Sequence, residues 1–275
     1  MAGRRDMIMR PIRFRRSALP PFGRHLLALT AFLTLCSTSR GAQELPSQGL
    51  ALWLSADQGV EARDGRVVAW HDRTSAQHAA QVPTGFKGPI LDGEEATLRF
   101  STGTLLKIDS QILPPDAREL TILGVGQADA HSSVGLFSIR NSAVPLIQLD
   151  VDENGNARFI VRDKQSRTLA ASTHCILGAR TLFGGILTAK DAHTGSTQVL
   201  FGADVEPGRT GDFSSPLIDS GAWIGGLVIP GRKPMFWQGT ISEILVYDRA
   251  LNEKELAQAA AHLTEKYELK EPTSP

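Results

Sequence analysis

The chain has 275 residues, with 29 basic and 29 acidic side chains and a formal charge of zero. The balance is uneven, because residues 1–42 hold eight of the bases, all arginine, and one of the acids, Asp6, leaving 21 bases against 28 acids. A mildly acidic remainder lacks the basic clustering that nucleic acid requires, which excludes that class of partner.

The first predicted element is a secretory signal peptide over residues 1–42. A basic stretch leads into the apolar run Leu26 to Cys36, and STSRGAQ follows. A run of eleven residues, apolar but for Thr30 and Thr34, suits the hydrophobic region of a signal peptide and is too short for a bilayer, which takes about 20. Cleavage is expected after Gly41 or Ala42. Cys36 as a lipid anchor is disfavoured by Leu35, which stands where a small residue is needed, and Arg15-Arg16 lacks the rest of a twin-arginine motif. The expected location is therefore secreted, periplasmic or cell-surface, with no membrane span after cleavage. The mature chain keeps a single cysteine, Cys175, so it can form no internal disulfide and its core must supply its stability.

Residues 43–49 read as a linker and 50–269 as one domain, with 270–275 a polar tail. Leu50–Leu54 alternates as a strand, Asp64-Gly65 marks a turn, and a second strand covers Arg66–His71. Gln77 to Asp92 reads as irregular, broken by Pro83, Gly85, Gly88 and Pro89. Strand patterns recur at 97–100, 105–108, 120–127, 134–139, 145–151, 157–162, 180–188, 197–203 and 221–224. Short strands at this spacing, separated by Gly, Pro, Asn and Asp, indicate a β-sandwich. Thr240–Tyr247 is apolar on both faces, as in a strand covered on both sides. A short helix follows, with Asn252 as its N-cap, Glu255 completing a capping box, and Leu251 with Leu256 as a hydrophobic staple. Its apolar stripe is Leu256, Ala259, Ala260, Leu263 and Tyr267.

Two stretches carry a family resemblance. The segment FWQGTISEILVYDRALNEKEL and the opening GLALWLSADQGV, with GRVVAWHD after it, resemble the closing and opening segments of laminin-G-like, concanavalin A-like domains of secreted bacterial proteins. The resemblance implies an all-β fold: a two-sheet antiparallel jelly-roll sandwich with a short C-terminal α-helix. It also implies rim loops that carry a ligand and sometimes one calcium ion, and Trp53 and Trp70 as packing residues.

Three places could hold chemistry. Glycoside hydrolases on this fold place alternating acids on one strand, so that the side chains share a face. The nearest match here is Gln148, Asp150 and Asp152, where an amide occupies the nucleophile's position, and no hydrolase is expected. Asp150, Asp152 and Asn154 also match the first half of a calcium loop, although its twelfth position is Val161. The competing reading is a type I′ hairpin at Asn154-Gly155. Trp223 and Trp237 flank a Gly- and Pro-rich loop with Arg232 at its tip, a candidate glycan platform. The histidines show no metal-ligand spacing.

The sequence thus predicts a secreted non-catalytic binding module for carbohydrate or a cell-surface protein. Its candidate ligand residues are Trp223, Trp237 and Arg232, and calcium at Asp150, Asp152 and Asn154 is the one cofactor considered. The alternatives are an atypical glycan-active hydrolase, or a structural interaction module of a cell-surface assembly.

Overall fold

A computed structural model describes residues 44–270 apart from 131–133, 142–143, 164, 214–216, 218–219 and 230. The predicted signal peptide and all of the tail but Lys270 lie outside the described residues. In chain order the strands are β1 (Leu50–Ser55), β2 (Val60–Arg63), β3 (Arg66–His71), β4 (Ala79–Gln81), β5 (Ile90–Asp92), β6 (Thr97–Phe100) and β7 (Leu106–Ile108). Then come β8 (Leu120–Ala128), β9 (Val134–Asn141), β10 (Val144–Val151), β11 (Asn156–Arg162), β12 (Thr168–His174), β13 (Thr181–Ala189) and β14 (Thr194–Phe201). β15 (Asp204–Asp212), β16 (Ala222–Ile224), β17 (Gly226–Leu227), β18 (Met235–Phe236), β19 (Gly239–Tyr247) and the helix α1 (Glu253–Lys266) complete the chain.

The fold is all-β with one C-terminal helix among the described residues. All the pairings between these strands are antiparallel. One wall runs β2–β3–β4–β7–β16–β9–β10–β11–β12. The other runs β19–β8–β13–β14–β15, with β6 and β1 sharing the far side of β19. A bridge from Arg66 to Ile90 ties the walls at one side. At the other, β15 lies against β12 so closely that a Cβ on Gly208 would come within 2.7 Å of the Ala170 carbonyl oxygen. The strands therefore form one nearly closed, barrel-like network rather than two clearly separate sheets.

Inside it lies the main core, which takes in Leu52, Leu54, Trp70, Phe100, Phe137, Phe159, Phe183 and Trp237. Its packing explains the pair Gly184-Gly185, since a Cβ on Gly185 would stand 2.1 Å from the Phe159 ring. A second cluster, of Leu123, Val125, Leu182, Leu200, Leu245, Tyr247, Leu251, Ala259 and Leu263, joins α1 to the outside of the β19 wall. Leu45, from the predicted linker, packs there too.

The helix starts as the sequence predicts. The Asn252 side chain accepts from the Glu255 amide at 3.0 Å, and the Glu255 carboxylate accepts from the Asn252 amide at 3.1 Å. Arg249 grips the same carboxylate through two bonds of 2.7 and 2.8 Å. The other end of α1 is held by Glu243 of β19, which is fully buried. Its carboxylate accepts from Trp53 Nε1 at 2.7 Å, Ser55 Oγ at 2.9 Å, Lys266 Nζ at 2.6 Å and Tyr267 OH at 2.5 Å. The glutamate of the closing motif is thus the clamp on the end of the helix.

The opening motif has a comparable organiser. Asp72 accepts from the Trp53 amide at 2.9 Å and from the Thr74 amide and hydroxyl at 2.9 and 2.6 Å. Trp70 is fully buried, whereas Trp53 is half-buried with the Arg73 guanidinium 3.7 Å above its ring.

Four differences from the sequence reading have clear causes. The irregular stretch 77–92 contains β4 and β5, each of three residues, too short to leave a periodic signal. The small and polar residues of β12 are strand because β11 pairs with all seven of them. β15 carries Pro207, Gly208 and Gly211 and pairs only with β14 among the described strands, an edge position where proline is tolerated. Finally, Asn154-Gly155 is not a type I′ pair. Only Gly155 has positive φ, at 81°, and Asp152 pairs with Asn156, so the loop has three residues ending in a left-handed glycine.

Candidate functional site

The wall that contains β9, β10 and β11 turns alternate residues inward to the core and outward. Ile147, Leu149 and Val151 of β10 face in, as do Ala157, Phe159 and Val161 of β11. Strand alternation therefore sends Gln148, Asp150, Arg158 and Ile160 to the outer face. Cross-strand register extends that face through Ser138 of β9, opposite Gln148, to Trp223 of β16, Lys107 of β7 and Gln81 of β4.

Asp150 is the electrostatic centre of this face, although only 1% of it is exposed. Its carboxylate accepts from Arg158 Nε at 2.9 Å and Nη2 at 2.8 Å, the two-pronged fit of guanidinium to carboxylate. The Gln148 amide also donates to it. Burial pushes the Asp150 carboxyl above its ordinary range, against the pull of Arg158 and Gln148. Asp152 moves the other way. Burial works to raise it, but hydrogen bonds from Asn156 and the Asn154 amide, with the Arg158 charge, outweigh burial and hold it low. Its Oδ1 accepts both the Asn154 and Asn156 amides at 2.9 Å, and Arg158 Nη1 lies 3.7 Å from its Oδ2.

The calcium set predicted from Asp150, Asp152 and Asn154 does not fit this arrangement. Both carboxylates are committed, and the Arg158 guanidinium already supplies the positive charge between them. Asn154 is exposed and contributes its backbone amide to the turn. Among the described residues, no group of three or more His, Cys, Asp or Glu side chains is placed to hold a metal ion.

The three predicted ligand residues are not brought together. Trp237 is fully buried in the core, edge-on to Phe183 at 6.1 Å, and packs rather than binds. Arg232 is exposed in a tight turn closed by its amide to the Ile229 carbonyl at 3.0 Å. Trp223 alone stands on the outer face, half-buried, with Lys107 Nζ 5.4 Å from its ring centroid. Sequence reasoning missed Arg158, Lys107 and Ser138. A three-residue loop puts Arg158 directly opposite Asp150, so correct loop length was the signal that could have found it. Cys175 is buried, and burial pushes its thiol up to about 12, which leaves it inert at neutral pH.

Neither a family model nor a curated protein matches the chain. Solved structures do. The chain is similar to a Trypanosoma rangeli sialidase in complex with sialic acid, at 19% identity and a TM-score of 0.52, over 81% of this chain and 34% of that one. It is also similar to the binding domains of botulinum neurotoxin serotypes D and G, at 10% identity and TM-scores of 0.52 and 0.50. Those matches cover 79% and 78% of this chain and 51% of each toxin chain. The chain thus spans about a third of the sialidase's length and about half of each toxin chain's. At such identities the likeness establishes the all-β fold. The expectations of a non-catalytic module and of no enzyme activity are corrected by the same comparison, since one of these fold neighbours is a sialidase.

Proposed function

We propose that the chain is a glycan-active hydrolase whose acid–base pair is Asp150 and Asp152. The observation that carries this reading is geometric: Asp150 and Asp152 alternate at the end of one strand, the first buried under Arg158 and the second held by the amides of its own turn. The opposite directions in which their carboxyls shift agree with that difference. Glycoside hydrolysis needs one carboxyl that keeps its proton for the leaving oxygen and one that is ionised to activate water. Gln148 is not needed as a nucleophile in such a scheme, and its amide instead donates to Asp150. The Asp150 side chain is 0% exposed beneath Arg158, whose own side chain is 27% exposed, so productive binding requires the guanidinium to swing aside. A sialidase among the fold neighbours supports the same class of chemistry.

The test is fluorogenic release from a panel of 4-methylumbelliferyl sialosides, galactosides and glucosides by the purified chain. Turnover of at least one substrate above the buffer blank is expected. Asp150→Asn and Asp152→Asn should each lower it by about 10²–10⁴, the usual worth of general acid–base catalysis. Release that survives both substitutions, or none from any substrate, would overturn the assignment.

The two walls are, in this reading, the sheets of a laminin-G-like, concanavalin A-like jelly roll spanning 50–269. The Glu243 clamp and the Asp72 turn at the two resemblance motifs support it. Export of the chain behind a cleaved signal peptide is part of the same proposal. Intact mass of protein from the extracytoplasmic fraction should lack residues 1 to about 42, and retained Met1 there would refute export by cleavage.

A further inference from the structure

We propose that Trp223, Lys107 and Ser138 form a subsite for a carboxylated sugar on the outer face of the β9 wall. The inference deepens the glycan-active reading and rests on it for the ligand class. Three strands place these residues side by side: Lys107 is the register partner of Trp223, and Trp223 that of Ser138. The indole is half-buried, so its position is fixed by its neighbours while part of it stays open to solvent. A fixed aromatic surface is what the apolar face of a sugar ring stacks on.

Charge supplies the selectivity. Lys107 Nζ lies over the Trp223 ring, 5.4 Å from its centroid, so the ammonium covers one side of the indole and the sugar stacks on the part left open. Its carboxylate partner is Asp109, whose side chain is 77% exposed. A pair this exposed is weak, so a ligand carboxylate can take the place of Asp109 at little cost. The second, independent observation is Ser138. It is fully buried on this face, and its hydroxyl has no hydrogen-bond partner among the described residues. A buried hydroxyl left unpaired is unfavourable, and a ligand hydroxyl or carboxylate that displaces the side chains covering it would satisfy it.

Indole fluorescence of the full chain tests this, titrated with sialic acid and, separately, with its methyl ester, in which the carboxylate is masked. Sialic acid is expected to bind at least tenfold more tightly than the ester, and more weakly as salt rises. Lys107→Gln should bring the acid down to the ester's affinity, and Ser138→Ala should weaken the acid without lowering the unfolding midpoint. Trp223→Phe, which keeps a ring to pack, checks that the signal comes from this indole by removing it. Equal binding of acid and ester, no binding of either, or a Lys107→Gln variant that still discriminates would overturn the subsite. The titrations are repeated in Asp150→Asn, so that hydrolysis surviving the substitution with discrimination retained tells against the acid–base assignment and leaves the subsite standing.

Discussion

Glu243→Ala should destabilise the protein by about 3–5 kcal/mol, the usual cost of removing one partner from a buried ion pair. The carboxylate is 0% exposed, and its loss would strand several donors at once. Lys266 would keep only Asp57 and the Ser55 hydroxyl, and Trp53 Nε1 would lose its acceptor. Tyr267 would keep its longer bond to the Ser242 carbonyl, at 3.2 Å. Urea denaturation of the parent, Glu243→Ala, Lys266→Ala and the double variant would measure the effect. The double variant should be less destabilised than the two single losses added together, because removing both charges leaves neither uncompensated. Additive losses would mean that the clamp is not a coupled unit. Asp57 gives the cluster a pH signature. Burial acts to raise its carboxyl, but the Ser55 hydrogen bond and the Lys266 charge outweigh burial and hold it below 3.8. A depressed carboxyl contributes stability that is complete above 3.8 and is lost as pH falls through the lower folded value. Stability should therefore drop below about pH 3.8, and less steeply in Lys266→Ala.

The closing segment was legible because its local signals agree with its tertiary role. Asn252 and Glu255 cap the helix by themselves, and the stripe from Leu256 to Tyr267 needs only a sheet to lie on. Thr240–Tyr247 has both faces covered, and the run of apolar residues on each face said so in advance. β12 and β15 were illegible for the opposite reason. The former owes its conformation to β11, and the latter is an exposed edge strand whose composition resembles a loop.

The outer face of the β9 wall shows the same limit in its chemistry. Asp150 and Asp152 could be singled out by spacing alone, yet what distinguishes them is environment. One is covered by Arg158 from the next strand, while the other is wrapped by the amides of its own turn. Only register can supply that. The placement of Trp237 reversed for a related reason: an indole beside a Gly- and Pro-rich loop looks exposed, but here it closes the core against Phe183. Reading Gln148 as a missing nucleophile assumed that three side chains had to act together. Register makes Gln148 the neighbour of Ser138 and a donor to Asp150, which leaves two carboxyls as the pair to test.

Leu263→Ala should cost about 2–5 kcal/mol, through lost burial and the cavity left behind. Leu263 is fully buried and belongs to the cluster with Leu123, Val125, Leu182, Leu200 and Leu245, all of them strand residues that cannot readily close over the gap. Asn252→Ala tests the other end of the helix and should cost about 1 kcal/mol, since it removes one cap acceptor at an exposed position. The manner of unfolding is as informative as its size. Arg249 and Glu255 pin the start of α1, and Glu243 with Lys266 and Tyr267 pins its end. A helix fixed at both ends has no free terminus from which to fray, so it should unfold with the β-network rather than before it. Leu263→Ala is therefore expected to lower the midpoint of a single transition, with far-UV circular dichroism and tryptophan fluorescence still coinciding. An earlier loss of helix signal, with fluorescence unchanged, would show that α1 detaches on its own and that the two clamps are weaker than their geometry implies.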